Sequence, residues 1–158
     1  MKKITYVLLL VFLGSCFAKH KPEIPAFNLL LKDSTTIFNT GNIPEGKPSV
    51  LLFFSPDCEH CQQETIDLLA NMDSLKNVNF YFITIDPMDR MRRFDTFYKL
   101  YRYPNITLGL DYTVSFPGHF KNAAPPYTVI YNPDKTMKVI FEGEIPASRF
   151  IKATRKLD

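Results

Sequence analysis

Residues 49–69 read SVLLFFSPDCEHCQQETIDLL, and this stretch decides the fold. Val50 to Phe54 is an unbroken apolar run of strand length, stopped by Ser55-Pro56-Asp57. Such a run predicts a strand buried on both faces of a parallel sheet, since a half-exposed strand would alternate. Ile66, Leu69 and Met72 then recur at helical spacing, with Gln62, Gln63, Glu64 and Asp67 between them. The strand is therefore expected to feed an amphipathic helix whose apolar stripe is 66, 69 and 72. Cys58 and Cys61 fall where the strand hands over to that helix.

The location carries chemistry. The unpaired N–H groups of a first helical turn hold partial positive charge and stabilise a thiolate. Only the thiolate attacks a disulfide, and a helix start or a CxxC context lowers a cysteine pKa from about 8.5 to roughly 3.5–7.5. The spacing assigns Cys58 as the exposed attacking sulfur and Cys61 as the sulfur that turns back and resolves the mixed disulfide. A redox pair needs no bound cofactor beyond the Cys58–Cys61 disulfide itself. Half of a zinc site is the other use of a CxxC, but a structural site wants four ligands, and no second CxxC or HxxxH pair occurs. No metal is assigned.

Upstream, Lys2 and Lys3 precede an apolar run from Ile4 to Leu13, followed by Gly14-Ser15-Cys16. A charged start, a core too short to span a bilayer and small residues ahead of a cleavage point predict a signal peptide over 1–15. Leu13-Gly14-Ser15-Cys16 resembles the lipobox of bacterial lipoproteins, which implies that Cys16 becomes the lipid-bearing first residue. That use also accounts for the odd third cysteine. Residues 16–25 then form a polar, proline-bearing tether, with His20 solvated, and residues 26–158 one domain. Removing 15 of 158 residues, Lys2 and Lys3 among them, leaves 143 residues with 17 of the 19 basic groups against 16 acidic ones, a formal charge of +1. So balanced a total points away from a nucleic-acid partner. About 140 residues bury close to 70% of their unfolded surface without structural disulfides, so the one remaining pair is free to work.

The rest of the chain supplies a frame. Phe27–Leu31 and Thr35–Phe38 flank the polar turn Lys32-Asp33-Ser34 as a β-hairpin, and 41–48 is too rich in Gly and Pro for regular structure. Val78–Ile85 is a second apolar strand, so strand, helix and strand make a βαβ unit with its strands parallel and adjacent. Met91, Phe94, Tyr98 and Tyr101 place one packed face on a helix from about Met88 to Tyr101, whose arginines read as a solvated face. Tyr103–Pro126 is irregular apart from a short strand at Ile106–Leu110, with His119 in a turn. Tyr127–Tyr131 and Met137–Phe141 form a closing antiparallel hairpin ended by Gly143, and Pro146–Leu157 a last helix. The order is ββ, βαβ, helix, ββα, with no repeat.

Phe53-Phe54-Ser55-Pro56-Asp57-Cys58-Glu59-His60-Cys61-Gln62-Gln63-Glu64, followed 65 residues after Cys61 by Pro126-Tyr127-Thr128-Val129-Ile130-Tyr131-Asn132, resembles a thioredoxin-fold thiol-disulfide oxidoreductase. The similarity is to the exported, membrane-tethered TlpA/ResA-like group, also described as redoxin or AhpC/TSA-like, and it covers the chain from about Ile24 to its end. It implies an α/β, thioredoxin-like fold in which a central mixed β-sheet is flanked by helices. By position, Cys58 is similar to the nucleophile, Cys61 to the resolving cysteine and Pro126 to the cis-proline opposite the pair. Pro125, Pro126 and His60 are then expected to meet substrate.

The resemblance further implies that Glu64, in a CxxCxxE pattern, tunes the thiols. Three residues beyond Cys61, it would share a helix face with that sulfur and accept its proton; as a plain surface residue it would merely suit the helix dipole. Partners so implied are protein or small-molecule thiols and disulfides, together with a membrane-bound electron donor, at an extracytoplasmic surface of a bacterial envelope. The chain departs from the family in having no tryptophan, with Asp57 before the first cysteine. A carboxylate there opposes a thiolate, while a protonated His60, as in the CPHC sites of oxidising enzymes, favours it. The family favours a reductase and His60 an oxidant or isomerase. Two other classes remain open. A peroxidase would want proline where Leu51 stands, although Ser55 suits it, and a copper-binding metallochaperone would recruit His119 to the two thiols.

Overall fold

The computed structural model describes residues 22–121 and 123–155. The expected signal peptide, Cys16 and most of the tether lie outside the described residues. Among these, no helix is long and apolar enough to cross a membrane.

Among the described residues, seven strands form one mixed sheet flanked by four helices in a thioredoxin-like arrangement. In chain order they are β1 (Asn28–Leu31), β2 (Ile37–Asn39), β3 (Ser49–Phe53), α1 (Glu59–Ala70), β4 (Asn79–Thr84), α2 (Met88–Tyr98), β5 (Ile106–Leu110), α3 (Ser115–His119), β6 (Tyr127–Tyr131), β7 (Met137–Glu142) and α4 (Ala147–Thr154). The sheet order is β2-β1-β5-β4-β3-β6-β7. β3 runs parallel to β4 in the register Val50↔Phe80 and Phe53↔Ile83, as the βαβ reading expects. β6 pairs antiparallel on its other side, with Phe53 opposite Tyr127. β3 is therefore central, and all five of its residues are buried. β7, at an edge, alternates instead between half-buried and exposed positions.

Alternation along β3 and β4 separates two cores. Val50, Leu52, Phe54, Phe80 and Phe82 face one side, packed with Cys61 and Leu68 of α1, Met91 and Phe94 of α2 and Phe150 of α4. Leu51, Phe53, Tyr81 and Ile83 face the other, with Leu29, Phe116 and Val129. Each fully buried large side chain contributes about 1.5–3 kcal/mol, so the rigidity around the end of β3 comes from both sides of the sheet. Asp111, fully buried, is satisfied by the Phe116 N–H at 2.7 Å and fastens α3 to the end of β5.

Three expectations change. The buried face of α1 is Cys61, Glu64, Thr65 and Leu68, while Ile66 is 49% exposed. The two-cysteine turn fixes the helix phase, which puts a carboxylate inside and leaves an isoleucine out; of the expected stripe only Met72, beyond the helix end, is buried. α2 stops at Tyr98 because Lys99 adopts a left-handed backbone, φ +55°. A separate 3-10 turn over Leu100–Arg102 follows, in which Leu100 is buried and Tyr101 exposed. The stretch read as irregular contains α3, and His119 at its end stacks its ring on Phe27, centroids 5.7 Å apart.

Candidate active site

Beyond Phe53 the chain makes one more sheet contact, Phe54 N–H to the Ile83 carbonyl at 2.9 Å, and then turns. The turn is tied down twice: Cys58 N–H donates to the Ser55 carbonyl at 3.1 Å, and Gln62 Nε2 to the Pro56 carbonyl at 2.8 Å. Cys58 is the N-cap of α1, with extended backbone (φ −82°, ψ 117°). Its Sγ takes the place usually filled by a serine or aspartate oxygen and accepts the Cys61 N–H at 3.4 Å. The sulfur thus faces the otherwise unpaired donors of the first turn, a setting that favours negative charge.

Cys58 is half-buried and Cys61 fully buried, and both are free thiols. Burial, followed by the contact with the Cys58 side chain, pushes the Cys61 thiol well above its ordinary value, and the Glu64 charge adds to the push. Cys58 can thus be reached from outside, whereas Cys61 lies behind it in the core.

The β3–β6 pairing brings a distant segment to the same place. The Pro125–Pro126 peptide is cis, and the Pro125 carbonyl lies 3.9 Å from Cys58 Sγ, which donates to it. Glu64 is 1% exposed, and neither carboxylate oxygen has a hydrogen-bond partner among the described residues. Burial is the main cause that lifts its pKa from 4.5 to about 8; the Ile145 backbone offsets part of this, the Glu144 charge adds to it, and the nearby Thr128 hydroxyl, outside hydrogen-bonding geometry, offsets a little more. The surface reading of Glu64 is thereby overturned. A buried carboxyl titrating near neutrality, electrostatically coupled to Cys61, is suited to exchanging a proton with that thiol.

Two charges noted in the sequence have partners that no spacing announces. Asp57 binds Arg90 Nη1 at 2.7 Å, so its charge beside Cys58 is opposed from α2. His60 Nδ1 meets Glu144 Oε2 at 2.8 Å, a contact across 84 residues that ties the ring to the β7–α4 loop. Among the described residues no three of His, Cys, Asp and Glu gather where they could share a metal ion, and His119 is occupied by Phe27.

The sequence pattern of the AhpC/TSA family matches residues 21–140. No curated protein sequence matches the chain. Among solved structures, a secreted disulfide oxidoreductase of Mycobacterium tuberculosis homologous to Escherichia coli DsbE superposes with a TM-score of 0.68 at 21% identity, covering 81% of this chain and 93% of that one. StoA from Bacillus subtilis gives 0.64 at 15% identity over 85% of this chain and 100% of its own. Peroxidoxin BcpB from Mycobacterium tuberculosis gives 0.66 at 17% over 88% and 97%. At these identities the likeness is one of fold.

Proposed function

The chain belongs to the AhpC/TSA family, and from that premise we propose that it is a thiol-disulfide oxidoreductase that reduces disulfides of exported substrates. One observation carries the reading: the Cys58 sulfur caps α1 beside the Pro125 carbonyl, with the buried Cys61 and Glu64 behind it.

In the first step the Cys58 thiolate attacks one sulfur of the substrate disulfide. The substrate S–S bond breaks, one thiolate leaves, and a Cys58–substrate disulfide forms. Glu64, as carboxylate, then takes the proton of Cys61. The Cys61 thiolate attacks the Cys58 sulfur, closes the Cys58–Cys61 disulfide and expels the second substrate thiol. Two electrons pass from the dithiol to the substrate. A membrane-bound thiol donor returns them by the reverse exchange. The Pro125 carbonyl beside Cys58 gives the backbone of a substrate segment an acceptor to pair with, and His60 lies exposed at the rim of the site.

The reducing direction is supported by the engagement of His60 with Glu144. An imidazolium free to sit over the thiolate would stabilise the reduced form and make the pair an oxidant, as in strongly oxidising enzymes. Here a carboxylate opposes that charge. Export through residues 1–15 and lipid attachment at Cys16 place the domain at the outer side of a bacterial membrane. The purified domain, reduced beforehand, should split the interchain disulfides of insulin with a thiol donor present, and Cys58→Ser should abolish it. Equal activity in Cys58→Ser would overturn the assignment.

A further inference from the structure

Beside the dithiol turn, between the first turns of α1 and the outward face of α2, lies an open groove of about 620 Å³. Its head is Pro56 and Asp57, the two residues before Cys58, so whatever fills it touches the turn that holds the attacking sulfur. Its floor is aromatic: Phe94 packs on Tyr98 at 4.5 Å between ring centroids and Phe97 on Tyr98 at 4.9 Å. Phe97 is 76% exposed, more than any other large apolar side chain among the described residues. Nothing in the fold requires a phenylalanine there; α2 already packs through Met91 and Phe94, which are buried.

The charge of the groove is one-sided. Arg90, Arg92 and Arg93 line it against a single carboxylate, Asp57. Arg90 is matched by that carboxylate at 2.7 Å and Arg93 by Asp89 at 2.8 Å. Among the described residues the guanidinium of Arg92 donates only to neutral oxygens, the Lys32 carbonyl at 2.8 Å and Ser34 Oγ at 2.7 Å, with no carboxylate to match its charge. An exposed aromatic next to such a guanidinium is the composition found at the centre of protein interfaces.

We propose that this groove docks an extended segment of the substrate protein, one that carries an apolar side chain and an acidic residue to one side of the disulfide to be reduced. The apolar side chain lies on Phe97 and Tyr98 while the carboxylate meets Arg92, and the adjoining cysteine is thereby presented to Cys58. This deepens the oxidoreductase reading and rests on it for the identity of the partner, but the binding step is independent of redox turnover.

The test uses fluorescein-labelled peptides in which serine replaces the substrate cysteine, flanked by Glu and Phe, by Lys and Phe, or by Glu and Gly. Anisotropy with the intact, reduced protein should show the Glu/Phe peptide bound at least tenfold tighter than either of the others. Its affinity should fall roughly tenfold in Phe97→Ala and in Arg92→Gln and weaken with added salt, consistent with a hot-spot aromatic and a rim charge. Reduction of the uncharged hydroxyethyl disulfide should be unchanged in both variants, which also shows that they fold. Equal binding of the three peptides, or unaltered binding in both variants, overturns the docking proposal. Loss of hydroxyethyl disulfide reduction by the unsubstituted protein, with peptide selectivity intact, would count against the oxidoreductase reading alone.

Discussion

Glu64→Gln separates a buried proton acceptor from a merely structural carboxylate, because it removes the titration and keeps the shape. The native state holds the Glu64 proton up to about pH 8, whereas the unfolded chain releases it near 4.5. A folded pKa above the unfolded one means that stability is fully present below pH 4.5 and is lost as pH rises through about 8. Each unit of separation is worth about 1.4 kcal/mol, so the loss between pH 5 and pH 8 is about 3.5 kcal/mol. Glutamine is neutral throughout and carries at most a constant cost of about 1–3 kcal/mol for an unpaired buried amide. Urea denaturation of the reduced proteins at pH 5, 6, 7 and 8 reads the difference directly, since every other titration is common to both. The gap between Glu64→Gln and the parent should move by about 3.5 kcal/mol in favour of the variant from pH 5 to pH 8. Parallel pH profiles for the two proteins would refute the buried, protonated Glu64.

The same substitution has a kinetic counterpart. Release of the second substrate thiol should accelerate with pH toward a plateau above about 8 in the parent, and in Glu64→Gln it should be slower by roughly a hundredfold below that plateau, measured by single-turnover quenching. Cys61→Ser should accumulate substrate on Cys58 as mixed disulfides, visible on non-reducing gels and dispersed by dithiothreitol; the absence of any adduct contradicts the division of labour between the sulfurs. Away from the site, Gly109→Ala places a Cβ 2.7 Å from Leu29 Cβ and 3.0 Å from its Cδ1. It should cost about 1–3 kcal/mol by thermal melting, because the clash is with a β-carbon that no side-chain rotation can move aside; an unshifted melting temperature would contradict it.

The frame was legible because it follows from hydrophobic pattern. The apolar run at Val50–Phe54 is a central strand with every residue of β3 buried, and Cys58 sits at the start of the helix that follows. The register of β3 with β6 then brings Pro126 to the cysteine pair from far along the chain. What periodicity misassigned was the inner face of α1. Composition favours Ile66 over Glu64, but the phase of that helix is set at its first turn by the Cys58 cap, and the carboxylate goes in. The end of α2 was hidden for a similar reason, since the aromatic spacing continues to Tyr101 while the left-handed backbone of Lys99 breaks the helix. The partners Arg90 of Asp57 and Glu144 of His60 are tertiary, brought close by the sheet rather than by any local spacing. They determine how the charges flanking Cys58 act, so redox direction lies beyond what the CEHC motif alone conveys.

The account depends on Cys58 and Cys61 passing reversibly between two thiols and one bond. Equilibration of the protein in glutathione buffers of graded redox ratio, followed by alkylation and mass spectrometry of the 58–61 peptide, measures this directly. A single two-electron transition, shifting by 29.6 mV per tenfold change in the ratio of oxidised to reduced protein and lying on the reducing side of the roughly −180 mV of protein disulfide isomerase, is the expected result. Persistence of both thiols across the whole series, or glutathione retained on Cys58 with Cys61 still alkylated, would contradict it.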